Sequence, residues 1–326
     1  LNLSSKLQQQ FVQMSKPTLL EYYAESEAEV ESSFEHFSQQ RNEFKNELKS
    51  LQTIAKQDPT LIQALPPVES SFKQFEKEAI ALFESKKRTL ALAQSVQEIF
   101  EDSEMAADDA SVAALDLIDY NDLQNNSDVT ALTGTIESSM LSIITGLTDL
   151  AKEQKRSTVE VIIKELSYSQ NSISESLAKF QSKYANSGYE GYDDLVEMTE
   201  NTLNLLSSSN SLGNTKKAWL NQISETDRLL NETNNIIDSG LTALKSLVKS
   251  VEDELAVMKV EVSDDVSEGV RDVWIVIVVS LGLSIFIAYQ TVIRVTRPLA
   301  EVNRILNVVA TGDLTNKLDD SSKDEF

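Results

Sequence analysis

Arg41 is the side chain in this sequence that most needs a chemical partner. It stands in the seam Val30, Phe34, Phe37, Arg41, Phe44, Leu48, Leu51 and Ala55, spaced 4, 3, 4, 3, 4, 3, 4, the period of a helix packed along one face. A guanidinium facing a core between Phe37 and Phe44 would cost on the order of several kcal/mol unless an anion meets it. A carboxylate from a facing helix, or a local outward turn of the seam, removes that cost. A carboxylate ligand held by the two-pronged guanidinium fork would do so as well, which makes Arg41 the candidate ligand-binding residue. Arg88, Arg156 and Arg228 fall off the seams and read as exposed.

Other chemistry is sparse. From Thr89 to Ala151 there are 12 acids and no Lys or Arg, and Asp116, Asp119 and Asp122, three apart, share roughly one helical face. A cation or polyamine could be held there, but the glycine-containing loop of an EF-hand is absent, so a solvated acidic face is the plainer reading. His36 is the single histidine and has no metal-ligating or catalytic partner at helical spacing. With no cysteine, no glycine-rich phosphate loop and no nucleophile motif, no catalytic residue, metal ligand or cofactor is expected. Residues 1–272 carry 24 Lys and Arg against 46 Asp and Glu, nearly all of the chain's net charge of −23. A polyanion such as DNA or RNA would be repelled.

Long helices must position these residues. Between Pro67 and Pro298 there is no proline and glycine is sparse, so the frequent turns of a sandwich or barrel have no source. Breaks at Asp58-Pro59, Pro66-Pro67, 125–128, 186–191 and 207–214 divide the first 272 residues into six pieces, four of them close to 58 residues. Ile237, Leu241, Leu244, Val248, Val251, Leu255, Met258 and Val262 form a second unbroken heptad seam. The expected fold is all-α: four long antiparallel helices with two short ones at the turns, either one bundle or two stacked modules. In that layout the breaks at 58–67 and 186–214 lie at the far tip and the 125–128 turn near the membrane.

The membrane enters through residues 273–293, an uncharged run of 21 residues between Asp272 and Arg294. At a rise of about 1.5 Å per residue it spans roughly the 30 Å of a bilayer's hydrocarbon core. Trp274 and Tyr289 lie near its ends, where amphipathic rings favour the headgroup level. Arg294, Arg297 and Arg304 follow closely, and a basic excess in short flanks marks the cytoplasmic side. Residues 1–272 are therefore expected outside and 294–326 in the cytoplasm. A start at Leu1 and a stop inside a pattern suggest a fragment of a longer chain.

Beyond the span, Leu299, Val302, Leu306 and Val309 form one stripe, spaced 3, 4, 3. Pro298 precedes it, and Gly312-x-Leu314-x-x-x-Leu318 and Asp324-Glu325 follow. Residues 294–326 thus resemble the first part of a HAMP domain, the helix–connector–helix module that follows the second span of bacterial transducers. The resemblance implies a homodimer and assigns a signalling role to Pro298, Leu299, Val302, Leu306, Val309, Gly312, Leu314, Leu318 and Glu325. By length and helix count, residues 1–272 resemble the helical bimodular sensor domains of methyl-accepting chemotaxis proteins. That likeness implies a small-molecule ligand, organic acids being one class such sensors recognise. It also implies a cytoplasmic chemotaxis kinase and adaptor as partners of the output. A sensor histidine kinase or cyclase with the same front half, or a helical stalk that senses nothing, fits the same residues.

Overall fold

Helix starts in this chain are written by short polar residues. Ser26 accepts the Glu29 N–H at 3.3 Å and opens one helix, and Asp58 accepts the N–H groups of Thr60 and Leu61 at 2.9 and 3.2 Å beside Pro59, so both satisfy donors that a first turn leaves free. A computed structural model describes residues 2–56, 58–119, 126–296, 299, 300, 302 and 303. Its elements are α1 (Asn2–Leu20), a 3₁₀ turn (Glu21–Tyr23), α2 (Glu27–Ala55), α3 (Pro59–Asp119), α4 (Ser127–Lys152), α5 (Arg156–Tyr184), α6 (Tyr192–Ser207) and α7 (Leu212–Thr291). A π-helical turn, Val292–Thr296, follows. No strand occurs among the described residues, and the fold is all-α.

Three expected boundaries change. Pro66 and Pro67 lie inside α3, on its exposed side. The carbonyls they leave unbonded, Ile62 and Gln63, are also on exposed residues, where water can replace the lost N–H donors. Leu61, Leu65, Val68 and Phe72 are buried on the opposite side and hold the helix together. Two turns absent from the expected layout do occur. One, at 21–26, separates α1 from α2. The other, at 153–155, divides α4 from α5 with no glycine or proline, because the Glu153 carboxylate itself takes the N–H groups of Gln154 and Lys155 at 2.8 and 2.7 Å.

The chain forms two units, residues 1–251 and 252–326. Two apolar clusters fill the first. One joins Leu7, Phe11 and Met14 of α1 to Phe37 and Phe44 of α2, Phe72 and Phe75 of α3, and Ile237 and Leu244 of α7. The other joins Ala107 and Leu117 of α3 to Ile136 and Ile143 of α4, Ile173 and Phe180 of α5, Leu195 of α6, and Leu212 and Leu220 of α7. These are two stacked helical modules that share α3 and α7.

The path follows from cross-contacts. Lys6 pairs with Glu47, Phe11 lies 5.1 Å from Phe75, and the Tyr22 hydroxyl reaches Asp227, so α1 runs half the length of the unit and α2 returns. At the opposite end Lys183 meets Asp128 at 3.0 Å and Gly191 lies beside Leu117. The end of α2 and the start of α3 therefore sit at the end holding Lys6 and Leu247, while the end of α3, the start of α4 and the α5–α6 connection share the other. This corrects the expected placement of the 58–67 and 125–128 breaks. The physical reason is parity: the turns at 21–26 and 153–155 make four of the helices half-length returns.

Gly240 marks a close approach in the first module. A Cβ built there would lie 2.5 Å from Cζ of Phe11, a ring that is itself buried against Phe44 and Phe75. Gly240→Ala is expected to destabilise the fold by about 1–3 kcal/mol of overpacking, less the roughly 1 kcal/mol that alanine contributes in a helix. Denaturant titration checks it, and an unchanged midpoint would contradict this packing.

In the second unit, one helical stretch is long and apolar enough to cross a membrane. Its most apolar window has a mean hydropathy of 2.2 and no buried residue. Trp274 and Tyr289 are exposed on it.

Candidate functional site

A layer of polar side chains separates the two apolar clusters. On α3 it falls between Phe83 and Val96, and on α7 around Gln222, Thr226 and Asp227. The first module contributes the turn that ends α1. Ser85 and Thr226 share a hydrogen bond of 2.8 Å and Thr89 and Thr226 one of 3.0 Å, while Gln222 Nε2 donates to Ser85 Oγ at 2.7 Å. Tyr22 donates its hydroxyl to Asp227 Oδ1 at 2.8 Å, and Lys86 Nζ donates to the Tyr22 carbonyl at 2.6 Å. The turn is thereby tied to both shared helices.

Glu21 lies fully buried in this layer, and neither of its carboxylate oxygens has a hydrogen-bond partner. Burial disfavours the charged form and pushes its pKa up to about 9, against a smaller downward pull from the Lys86 cation. Lys86 is lowered by burial, with Glu21 and then Glu25 opposing that shift. The hydrogen bond to Asp227 raises the Tyr22 phenol.

A second buried charge lies at the α4–α5 turn. Lys216 is fully buried, donates to the Ala151 carbonyl at 2.7 Å and sits 4.3 Å from the Trp219 ring centre. The last turn of α4 offers it unpaired carbonyls and the negative end of the helix dipole. Burial lowers its pKa, partly offset by Glu153.

Arg41 is half-buried. Its Nη1 lies 3.5 Å from Oε1 of Glu76 on α3, an oxygen that also receives Lys45 Nζ at 2.5 Å, and its guanidinium lies 5.8 Å from the Phe37 ring. The facing carboxylate is thus supplied by the protein. A partly exposed pair of this kind contributes about 1 kcal/mol or less, so Arg41→Ala is expected to lower stability by no more than that. Calorimetry of the variant against organic acids tests the ligand-fork reading separately.

Asp116 and Asp119 are exposed on α3 and His36 on α2, while Asp122 lies outside the described residues. Among those described, no three His, Cys, Asp or Glu side chains converge as a metal site would require. Arg88, Arg156 and Arg228 are exposed and bonded to Glu84, Asn221, and Glu225 with Glu232. Leu299 and Val302 are helical, with Leu299 exposed. Pro298, Leu306, Val309, Gly312, Leu314, Leu318 and Glu325 lie outside the described residues.

Glu21 and Lys216 were legible by the argument that singled out Arg41. Leu7, Phe11, Met14, Thr18 and Glu21 are spaced 4, 3, 4, 3, and the α7 seam extended backwards from Ile237 in steps of seven reaches Leu230, Ile223 and Lys216. Each ends an apolar seam on a charge.

No family model matches this chain, and no curated protein matches it. Solved structures do. The TorS sensor domain, in a crystal structure of its complex with TorT in the presence of TMAO, matches with a TM-score of 0.60 at 10% identity, over 76% of this chain and 97% of that one. The TorS sensor domain of the V. parahaemolyticus histidine kinase sensor matches with a TM-score of 0.57 at 10% identity, over 76% and 99%. The fold is that of helical sensor domains. The added C-terminal apolar helix is consistent with a membrane protein.

Proposed function

We propose that this chain is the sensor domain, membrane span and first part of the relay of a transmembrane signalling receptor. The observation that carries this reading is the two-module helical fold shared with TorS sensor domains over three-quarters of the chain, followed in sequence by an apolar helix of membrane-spanning length. The basic flank at Arg294, Arg297 and Arg304 supports residues 1–272 outside and 294–326 in the cytoplasm. The HAMP-like pattern after Pro298 supports a homodimer whose connector passes changes in helix packing onward.

A histidine-kinase output is favoured over a chemotactic one, because both matching structures are TorS sensor domains and one is described as part of a histidine kinase sensor. The resemblance to chemotaxis receptors rests on length and helix count alone. A small ligand reaches such a fold either directly, as an organic acid would at Arg41, or carried by a partner protein, as the TorS–TorT complex with TMAO suggests.

The absence of cysteine makes the test clean. Ser187→Cys and Ser321→Cys, introduced singly in intact cells, are expected to react and not to react, respectively, with a membrane-impermeant maleimide. Calorimetry of the purified chain in lipid nanodiscs against organic acids, amino acids and amine oxides then reads binding. Labelling of both sites, or of Ser321→Cys alone, would overturn the topology.

A further inference from the structure

We propose that Glu21 is a proton-binding site built into the joint between the two modules, and that its proton decides how the α1–α2 turn is held against α3 and α7. The carboxyl group has no exposure to water and no hydrogen-bond partner for either oxygen, which an ionised carboxylate could hold only at great cost. Lys86, the cation within reach, gives its hydrogen bond to the Tyr22 carbonyl instead.

The surrounding charges leave no free counter-ion. From α3 comes Lys86, with Lys87 bound to Glu31 of α2. The turn contributes Tyr22 and Glu25, α2 contributes Glu29, which accepts the Glu25 N–H, and α7 contributes Asp227, which accepts the Tyr22 hydroxyl. On α1 the nearest titratable group is Lys16, which is exposed. An ionised Glu21 would have Lys86 alone to balance it, a cation that Glu25 also attracts. The neutral acid is the form this layer accommodates. When the proton leaves, the carboxylate draws Lys86 Nζ away from the Tyr22 carbonyl, and the turn loses one of its two ties. Its other tie is to α7, so proton occupancy at Glu21 is felt by the helix that leads out of the sensor unit.

The proton site is a property of the folded unit. Only its effect on signalling rests on the receptor reading, so the test reads protonation directly. In infrared spectra of the full chain in lipid nanodiscs, the wild type minus Glu21→Gln difference at pH 7 is expected to show the C=O stretch of a neutral carboxylic acid. That band should vanish as pH rises through about 9. Lys86→Gln should shift its loss to higher pH, because the cation that favours ionisation is gone. Cleavage within 21–26 by a fixed dose of protease should rise over the same pH range in the wild type and stay flat in Glu21→Gln. A difference spectrum showing an ionised carboxylate at pH 7, or equal cleavage profiles, would overturn the proposal.

Discussion

Glu21→Gln is expected to raise the stability of the sensor unit at pH 7 by about 3 kcal/mol, a gain on the order of 10 °C in Tm for a unit of this size. The sign follows from linkage. Glu21 has a folded pKa of about 9 against an ordinary value of 4.5, so between these values the folded chain binds a proton that the unfolded chain has released. Stability contributed through this group is complete below pH 4.5, falls as pH rises, and levels off above about 9. Glutamine is neutral throughout and removes the penalty while keeping the shape. Thermal unfolding followed by circular dichroism checks it: the two proteins should converge at pH 4.5 and diverge steadily towards pH 9. Parallel profiles would mean that Glu21 ionises in the folded protein as it does in water.

Phe75→Ala should have a comparable effect of opposite sign. Phe75 is fully buried, with ring centres of Phe11 and Phe37 at 5.1 and 6.0 Å, and joins three helices of the first module. Replacing such a ring by a methyl group removes its transfer energy and leaves a cavity, a loss of about 3–5 kcal/mol. The two modules have separate apolar clusters joined through a polar layer, so the loss is expected to be local. Hydrogen exchange should accelerate in α1, α2 and residues 61–90 and 236–251, while α4, α5 and α6 keep their protection. Uniform acceleration across both modules would show instead that α3 and α7 couple them into one cooperative unit.

How legible these features were depends on the kind of signal each left. The seams of α2 and α7 are read directly, because an apolar residue every 3.5 positions needs a facing helix wherever it occurs. The double proline misled because its cost depends on which side of the helix it occupies. At 66–67 that side faces solvent, and the buried Leu65 and Val68 hold the helix through it. The turn at 26 had a signature, Ser26 followed three residues later by Glu29. The turn at 153 had none, since a glutamate that bonds the next two amides looks like any surface acid until the backbone bends. Missing both turns inverted the expected ends of the bundle.

By itself the sequence determined the helical class, the apolar stretch at 273–293, the acidic character of what precedes it and the place of Arg41 in an otherwise apolar seam. These depend on periodicity and composition, which are local properties of the chain. Tertiary structure alone decided that the helices make two modules sharing α3 and α7, that Glu76 meets Arg41, and which segments enclose Glu21 in the polar layer and Lys216 at the α4–α5 turn. Those outcomes depend on which distant segments arrive at the same height, and burial of a charge is settled by its neighbours in space.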